Sequence, residues 1–133
     1  MTFRAYIIED NLVIRENLLA TLREVVQLEP VGMAETEQEG AGWLRDHAGQ
    51  WDLAIVDLFL KEGNGLNVLA ACQDRKPGQR IVVLSNHATR EVRRRCELLG
   101  ADAVFDKSTE IDALLDYCEA ERRRVETRPA ALH

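Results

Sequence analysis

The chain has 133 residues, is 46% hydrophobic and 30% charged, and carries a formal net charge of −6. That composition suits one globular domain with its own core, and the negative balance argues against general nucleic-acid binding. No apolar run approaches the roughly 20 residues that span a bilayer, and the start "MTFRAYIIED" is too short and too acidic for a signal peptide.

"FRAYIIE" (Phe3–Glu9) is β-rich, with no polar alternation after Ala5. A strand covered on both faces reads this way. Ile14, Leu18, Leu22 and Val25/Val26 then recur at helical spacing, with Asn11 available as an N-cap. Pro30 is expected to stop that helix and open a short strand, "VGMAE". Thr36 and Glu39 have capping-box spacing ahead of a Gly-containing helix with Trp43 and Leu44. "DLAIVD" (Asp52–Asp57) is a second buried strand. After Gly63-Asn64-Gly65 comes a helix with Leu66, Leu69 and Cys72, broken by "KPG". "RIVVLS" (Arg80–Ser85) is a third buried strand. A helix with Val92, Cys96 and Leu99 ends at Gly100. "DAVFDK" (Asp102–Lys107) is a short strand, and a last helix places Ile111, Leu114, Leu115 and Cys118 on one face. Residues 1–123 form the expected domain; residues 124–133 are expected to be a fraying helix end and a mobile tail.

Five buried strands alternating with five helices imply an α/β fold: a doubly wound parallel sheet with helices on both faces. In such sheets ligands bind at the carboxyl ends of the strands. There the sequence places Glu9 and Asp10, then Asp57, then Ser85, then Lys107. Singly, each has a bland reading as a cap, a turn residue or a solvated charge. Together they meet one requirement. Three clustered carboxylates repel one another, and a single lysine does not offset them. A hard divalent cation with oxygen ligands does, which points to Mg²⁺. A carboxylate beside Mg²⁺ and a lysine is also a plausible nucleophile towards phosphorus.

This set resembles the receiver domain of two-component response regulators. The matching motifs are "IIEDN", "IVDLFLKEGNGL", "VVLSN" and "FDKS", and the likeness covers about residues 3–122. It implies a flavodoxin-like sheet of order 2-1-3-4-5. It also implies that Asp57 is the phosphoacceptor and that Glu9, Asp10, Asp57 and the backbone carbonyl of Phe59 hold Mg²⁺. Ser85 would be the hydroxyl that moves towards the phosphoryl group, and Lys107 would pair with that group. The donor would be a histidine kinase or a histidine phosphotransfer protein in the cytoplasm. The chain would be no enzyme with a separate substrate, but would assist its own phosphorylation and dephosphorylation. A stand-alone domain of this length would signal to an unidentified downstream protein or relay the group onward. The helix 4–strand 5–helix 5 face would be its output and homodimer surface.

Three positions depart from the family pattern. Glu9 stands where Asp is commoner, which is tolerated where the acid acts through water. Ser108 replaces the usual proline after the lysine; that bond is typically cis in the family, and a non-proline cis bond costs roughly 2.5–4 kcal/mol. Ser108 is instead placed to cap the last helix. Val104 stands where an aromatic switch residue is usual, and strand alternation points the neighbouring Phe105 to the other face.

Phe59 and His87, two places after Asp57 and Ser85, are either rim residues that tune phosphoryl arrival and loss or ordinary loop residues. The runs Arg93-Arg94-Arg95 and Arg122-Arg123-Arg124 are either solvated faces or part of the output surface, with Asp112, Asp116, Glu119 and Glu121 nearby. Cys72, Cys96 and Cys118 lack CxxC spacing and read as free thiols in a reducing compartment. His47, His87 and His133 form no ligand pattern.

The rival readings are a degenerate receiver that binds partners without phosphorylation, a dehalogenase-type enzyme and a flavodoxin-like carrier. The enzyme type wants Asp-x-Asp, and this chain reads Asp57-Leu58-Phe59. The carrier wants a phosphate loop after strand one, where "EDNLVIREN" would repel phosphate.

Overall fold

Side-chain alternation along the central strands builds two cores, one on each face of a single sheet. A computed structural model describes residues 2–127. The strands are β1 (Arg4–Ile8), β2 (Glu29–Ala34), β3 (Leu53–Asp57), β4 (Arg80–Ser85) and β5 (Ala103–Asp106). They pair in parallel in the order β2-β1-β3-β4-β5. The helices are α1 (Leu12–Thr21), α2 (Glu37–Asp46), α3 (Gly65–Ala71), α4 (Arg90–Leu98) and α5 (Ile111–Glu126).

Ala5, Ile7, Leu53, Ile55, Val82, Leu84 and Phe105 face one core, closed by Leu18 of α1, by Leu22 just beyond it, and by Leu114 and Cys118 of α5. Tyr6, Ile8, Ala54, Val56, Ile81, Val83 and Val104 face the other, closed from the α2, α3 and α4 side by Leu44, Leu69 and Cys96. Period-two alternation therefore survives inside strands that read as uninterrupted apolar runs. Phe105 does point away from Val104, and stacks edge-to-face on Tyr117.

Asn11 caps α1 by accepting from the Ile14 amide, and Thr36 caps α2 by accepting from Glu39. Helix α1 ends in a π-helical turn, Leu22–Val26, and Gln27 at φ 61° turns the chain. The expected role of Pro30 therefore shifts. Gln27 ends the helical stretch, and Pro30 is the second residue of β2. Proline lacks an amide donor, and the β1–β2 register slips between Ala5 and Tyr6, beside it. Over Gly32 of β2, Trp43 of α2 stacks on Tyr6.

Two further expectations need correction. Helix α5 continues to Glu126 because Val125 is fully buried in the α1–α5 core, so residues 124–126 are helix and not tail. Residues 128–133 of the expected tail, including His133, lie outside the described residues. Ser108 does not cap α5. Glu110 occupies the N-cap, and the Asp106 carboxylate accepts from the Ser108 amide, the Ser108 hydroxyl and the Thr109 amide. That turn follows a trans Lys107–Ser108 bond, since no peptide bond among the described residues is cis.

Candidate functional site

Parallel register brings the carboxyl ends of β1, β3, β4 and β5 to one edge of the sheet. Glu9 follows β1 and is buried; Asp57 closes β3 and is buried; Ser85 closes β4 and is fully buried. Lys107 follows β5, its amide bonded to the Ser85 carbonyl at 2.9 Å. The Lys107 ammonium reaches across the sheet end. Its Nζ lies 2.6 Å from Glu9 Oε1 and 3.1 Å from Asp57 Oδ2. Asp10, half-buried, completes the cluster: carboxylate oxygens of Glu9, Asp10 and Asp57 all lie within 4.8 Å of one another.

Backbone amides hold each acid. Glu9 accepts from Asn11 at 3.1 Å, Asp57 from Phe59 at 3.3 Å and Asp10 from Lys61 at 2.6 Å. The β3–α3 loop that donates two of these bonds is tightly folded. Gly65 sits so close that a Cβ there would meet the Asp57 carbonyl oxygen at 2.6 Å, and Gly63 adopts φ 86°. Glu37 of α2 accepts from the Asn64 amide and the Asn67 side chain, which holds its own carboxyl below the ordinary range. Phe59 bridges back to Asn64 in this loop.

The electrostatics follow from crowding. Burial pushes the Asp57 carboxyl up to about 7; Lys107 opposes the rise and Glu9 adds to it. Burial disfavours the Lys107 ammonium, but its hydrogen bond to Glu9 and the Asp57 charge outweigh that and raise it above the usual lysine value. One ammonium therefore leaves three acids under-compensated. Oxygen donors at this spacing fit a hard divalent cation such as Mg²⁺, which takes one or two carboxylates and keeps several waters.

Each side chain singled out in the sequence at a strand end falls at this edge. The Ser85 hydroxyl accepts from the His87 amide at 3.1 Å. Phe59 and His87, both exposed, meet edge-to-face with ring centroids 6.5 Å apart, joining the loops after β3 and β4. The second arginine run is spent mainly within its own helix: Arg122 and Arg123 pair with Glu119, and Arg124 with Glu121, while Arg124 Nη2 also donates to the Gly78 carbonyl at 2.8 Å. All three cysteines are free and buried, and burial raises each thiol above its ordinary range.

Sequence reading missed Arg15. It is buried, and its Nη1 donates to the Glu9 carbonyl and to Glu35, each at 3.1 Å. The Glu9 amide bonds the Ala34 carbonyl at 3.0 Å, so the acid's backbone is held on both sides. The signal was present: Arg15 occupies the stripe of Leu18, Leu19 and Leu22, where a charge is out of place. Its buried Nε has no hydrogen-bond partner among the described residues.

The chain belongs to the response regulator receiver domain family, whose pattern it matches over residues 5–119. It is 40% identical over 55 residues to the photosynthetic apparatus regulatory protein RegA of Rhodobacter capsulatus, covering 41% of this chain and 29% of that one. It is 28% identical over 104 residues to the DNA-binding transcriptional activator DevR/DosR of Mycobacterium tuberculosis, covering 78% of this chain and 47% of that one. The matched stretches thus span less than half of either relative. In fold, the signal receiver domain of the response regulator NarL from Mycobacterium tuberculosis superposes with a TM-score of 0.75 at 20% identity, over 89% of this chain and 97% of that one. The expected sheet order is the observed one. No helix among the described residues is long and apolar enough to cross a membrane.

Proposed function

We propose that this chain accepts a phosphoryl group on Asp57 from a phosphohistidine, in a Mg²⁺-dependent reaction, and signals by protein contact or by passing the group on. The observation that carries the reading is the Lys107 ammonium bridging Glu9 and Asp57 at the ends of three strands. A carboxylate oxygen of Asp57 attacks phosphorus, the phosphorus–nitrogen bond of the donor breaks, and its electron pair leaves with the imidazole. Lys107, already 3.1 Å from Asp57, offsets charge on the transferred oxygens. Ser85 leaves the His87 amide and donates a hydrogen bond from its hydroxyl to one of them. Glu9, Asp10, Asp57 and the Phe59 carbonyl would hold Mg²⁺, which would supply the remaining positive charge. Phe59 and His87 shield the acyl phosphate from water. The chain in this reading assists its own phosphorylation and dephosphorylation and turns over no separate substrate.

The donor is a histidine kinase or phosphotransfer protein in the cytoplasm. An apolar groove of about 410 Å³ between α1 and α5, lined by Ile14, Leu18, Leu84, Ile111 and Lys107, supports docking of such a protein beside the site. Leu12 and Val13 of α1 are exposed next to it. The α4–β5–α5 face is the proposed output and homodimer surface. Arg94 of α4 and Asp112 and Asp116 of α5 are exposed on these helices, offering complementary charges.

A second reading, a receiver that binds partners without phosphorylation, is favoured by Val104, a buried aliphatic residue where the family pattern has an aromatic, and by Ser108, which stands where the family has proline. Intact mass after incubation with acetyl phosphate separates the two. The first reading expects one added phosphoryl group that needs Mg²⁺ and is lost in Asp57→Asn. No addition, with Mg²⁺ binding confirmed by calorimetry, selects the second.

A further inference from the structure

Arg93 differs from its neighbours in the first arginine run. Its guanidinium ties three segments together. Nε donates to the Ala88 carbonyl at 2.8 Å, Nη1 donates to the Val104 carbonyl at 2.9 Å, and Nη2 pairs with Glu110 Oε1. The same Glu110 oxygen accepts from the Asp106 amide at 2.9 Å. One side chain of α4 thus holds the β4–α4 loop, β5 and the start of α5.

The Ala88 anchor lies three residues after Ser85. The chain between them is short and already bonded, the His87 amide to Ser85 Oγ. Turning Ser85 Oγ towards a group on Asp57 breaks its bond from the His87 amide, so residues 86–88 lose that restraint and are free to shift. Arg93 rides on α4, whose first turn is fixed by the Thr89 cap, so it does not follow that shift freely. A hydrogen bond at 2.8 Å weakens steeply once stretched past 3.5 Å or bent. Val104, the position without an aromatic, is bound here through its carbonyl, which needs no particular side chain.

We propose that Arg93 is a positioning residue that holds the Ser85 loop in its unphosphorylated place, and that phosphoryl binding works by freeing Ala88 from it. This rests on Asp57 being the phosphoacceptor. The clamp favours one of two loop positions, so removing it shifts the population towards the other. Release also loosens Arg93 from Glu110, which carries the event from the site to the α4–β5–α5 face.

The test uses beryllofluoride, a phosphoryl mimic that bonds a carboxylate, with saturating Mg²⁺ and the full chain, read by calorimetry. Arg93→Ala is expected to bind it about tenfold more tightly, the equivalent of about 1.4 kcal/mol. Arg93→Lys, with one point donor in place of a fork, is expected to fall between. Arg45→Ala, exposed on α2 and outside both the clamp and the proposed output surface, is expected to match the wild type. Hydrogen exchange on the metal-free proteins gives a second reading: Arg93→Ala should speed exchange at the Asp106 amide and in the first turn of α4, and leave β1 and β3 unchanged. Equal or weaker beryllofluoride binding by Arg93→Ala, or exchange that rises throughout the sheet, overturns the proposal. A wild type that does not bind beryllofluoride removes the phosphoacceptor reading itself, and the clamp's role with it.

Discussion

Asp57 folds at the expense of its own charge, and that expense is measurable. Its carboxyl is pushed from 3.8 to about 7, first by burial. Between those two pH values the folded chain binds more protons than the unfolded one. Stability therefore falls as pH rises through that window, and the whole penalty is present above about 7. A gap of about three pH units, at 1.36 kcal/mol each, sets a ceiling of about 4 kcal/mol. Glu9 shares the strain and Asn forgoes the Lys107 attraction, so about half of it, roughly 2 kcal/mol, is expected to return in Asp57→Asn. At about 2.1 cal/mol/K of unfolding entropy per residue, that is a rise in Tm of about 7 °C for a chain of this length. Thermal unfolding by circular dichroism with chelator present tests it at two pH values. Asp57→Asn should be the more stable protein at pH 8, and the gap should nearly vanish at pH 4.5. Saturating Mg²⁺ at pH 8 should raise the wild type and barely move the variant. If Asp57→Asn melts at or below the wild type at pH 8, the buried carboxylate is not under the strain described, and the case for a cation weakens with it.

Other consequences are as direct. Gly65→Ala drives a Cβ into the Asp57 carbonyl oxygen, a backbone atom with nowhere to retreat; urea unfolding should show a loss of at least about 2 kcal/mol. Phe59→Ala opens one side of the rim, so the acyl phosphate should hydrolyse several-fold faster by timed intact-mass measurement, with Mg²⁺ affinity by calorimetry unchanged. A longer lifetime would mean that Phe59 does not shield. The three thiols are buried and raised, so a disulfide reagent should label none of them quickly in the folded protein and all three in denaturant.

Much of this was legible from the chain because strand ends are punctuated by chemistry. Apolar runs stop where the backbone leaves the sheet, so Glu9, Asp57, Ser85 and Lys107 all announced themselves as strand ends, although Glu9 and Lys107 prove to be the first residues beyond β1 and β5. Caps were legible at Asn11 and Thr36, where a short polar side chain precedes a periodic run. Ser108 looked the same but lost to Asp106, whose carboxylate is two residues closer to the strand and takes both amides of the turn. The second arginine run gave no sign of its partners, yet spacings of three and four residues bring Glu119 and Glu121 onto it along one helix. Arg93 was opaque for a different reason. Two of its three partners are main-chain carbonyls, and carbonyls have no letter in a sequence.

The outer strands carry one last implication. A parallel sheet of five strands ends in two rows of unsatisfied backbone groups, and each row invites another strand. Here β2 presents Pro30 and a slipped register at one border, and β5 is only four residues long at the other. Neither border offers a long, regular template. Copies of this domain, or partners that meet it, are steered away from sheet extension and towards helix-to-helix contact, which forms and separates without remodelling the sheet that holds Asp57.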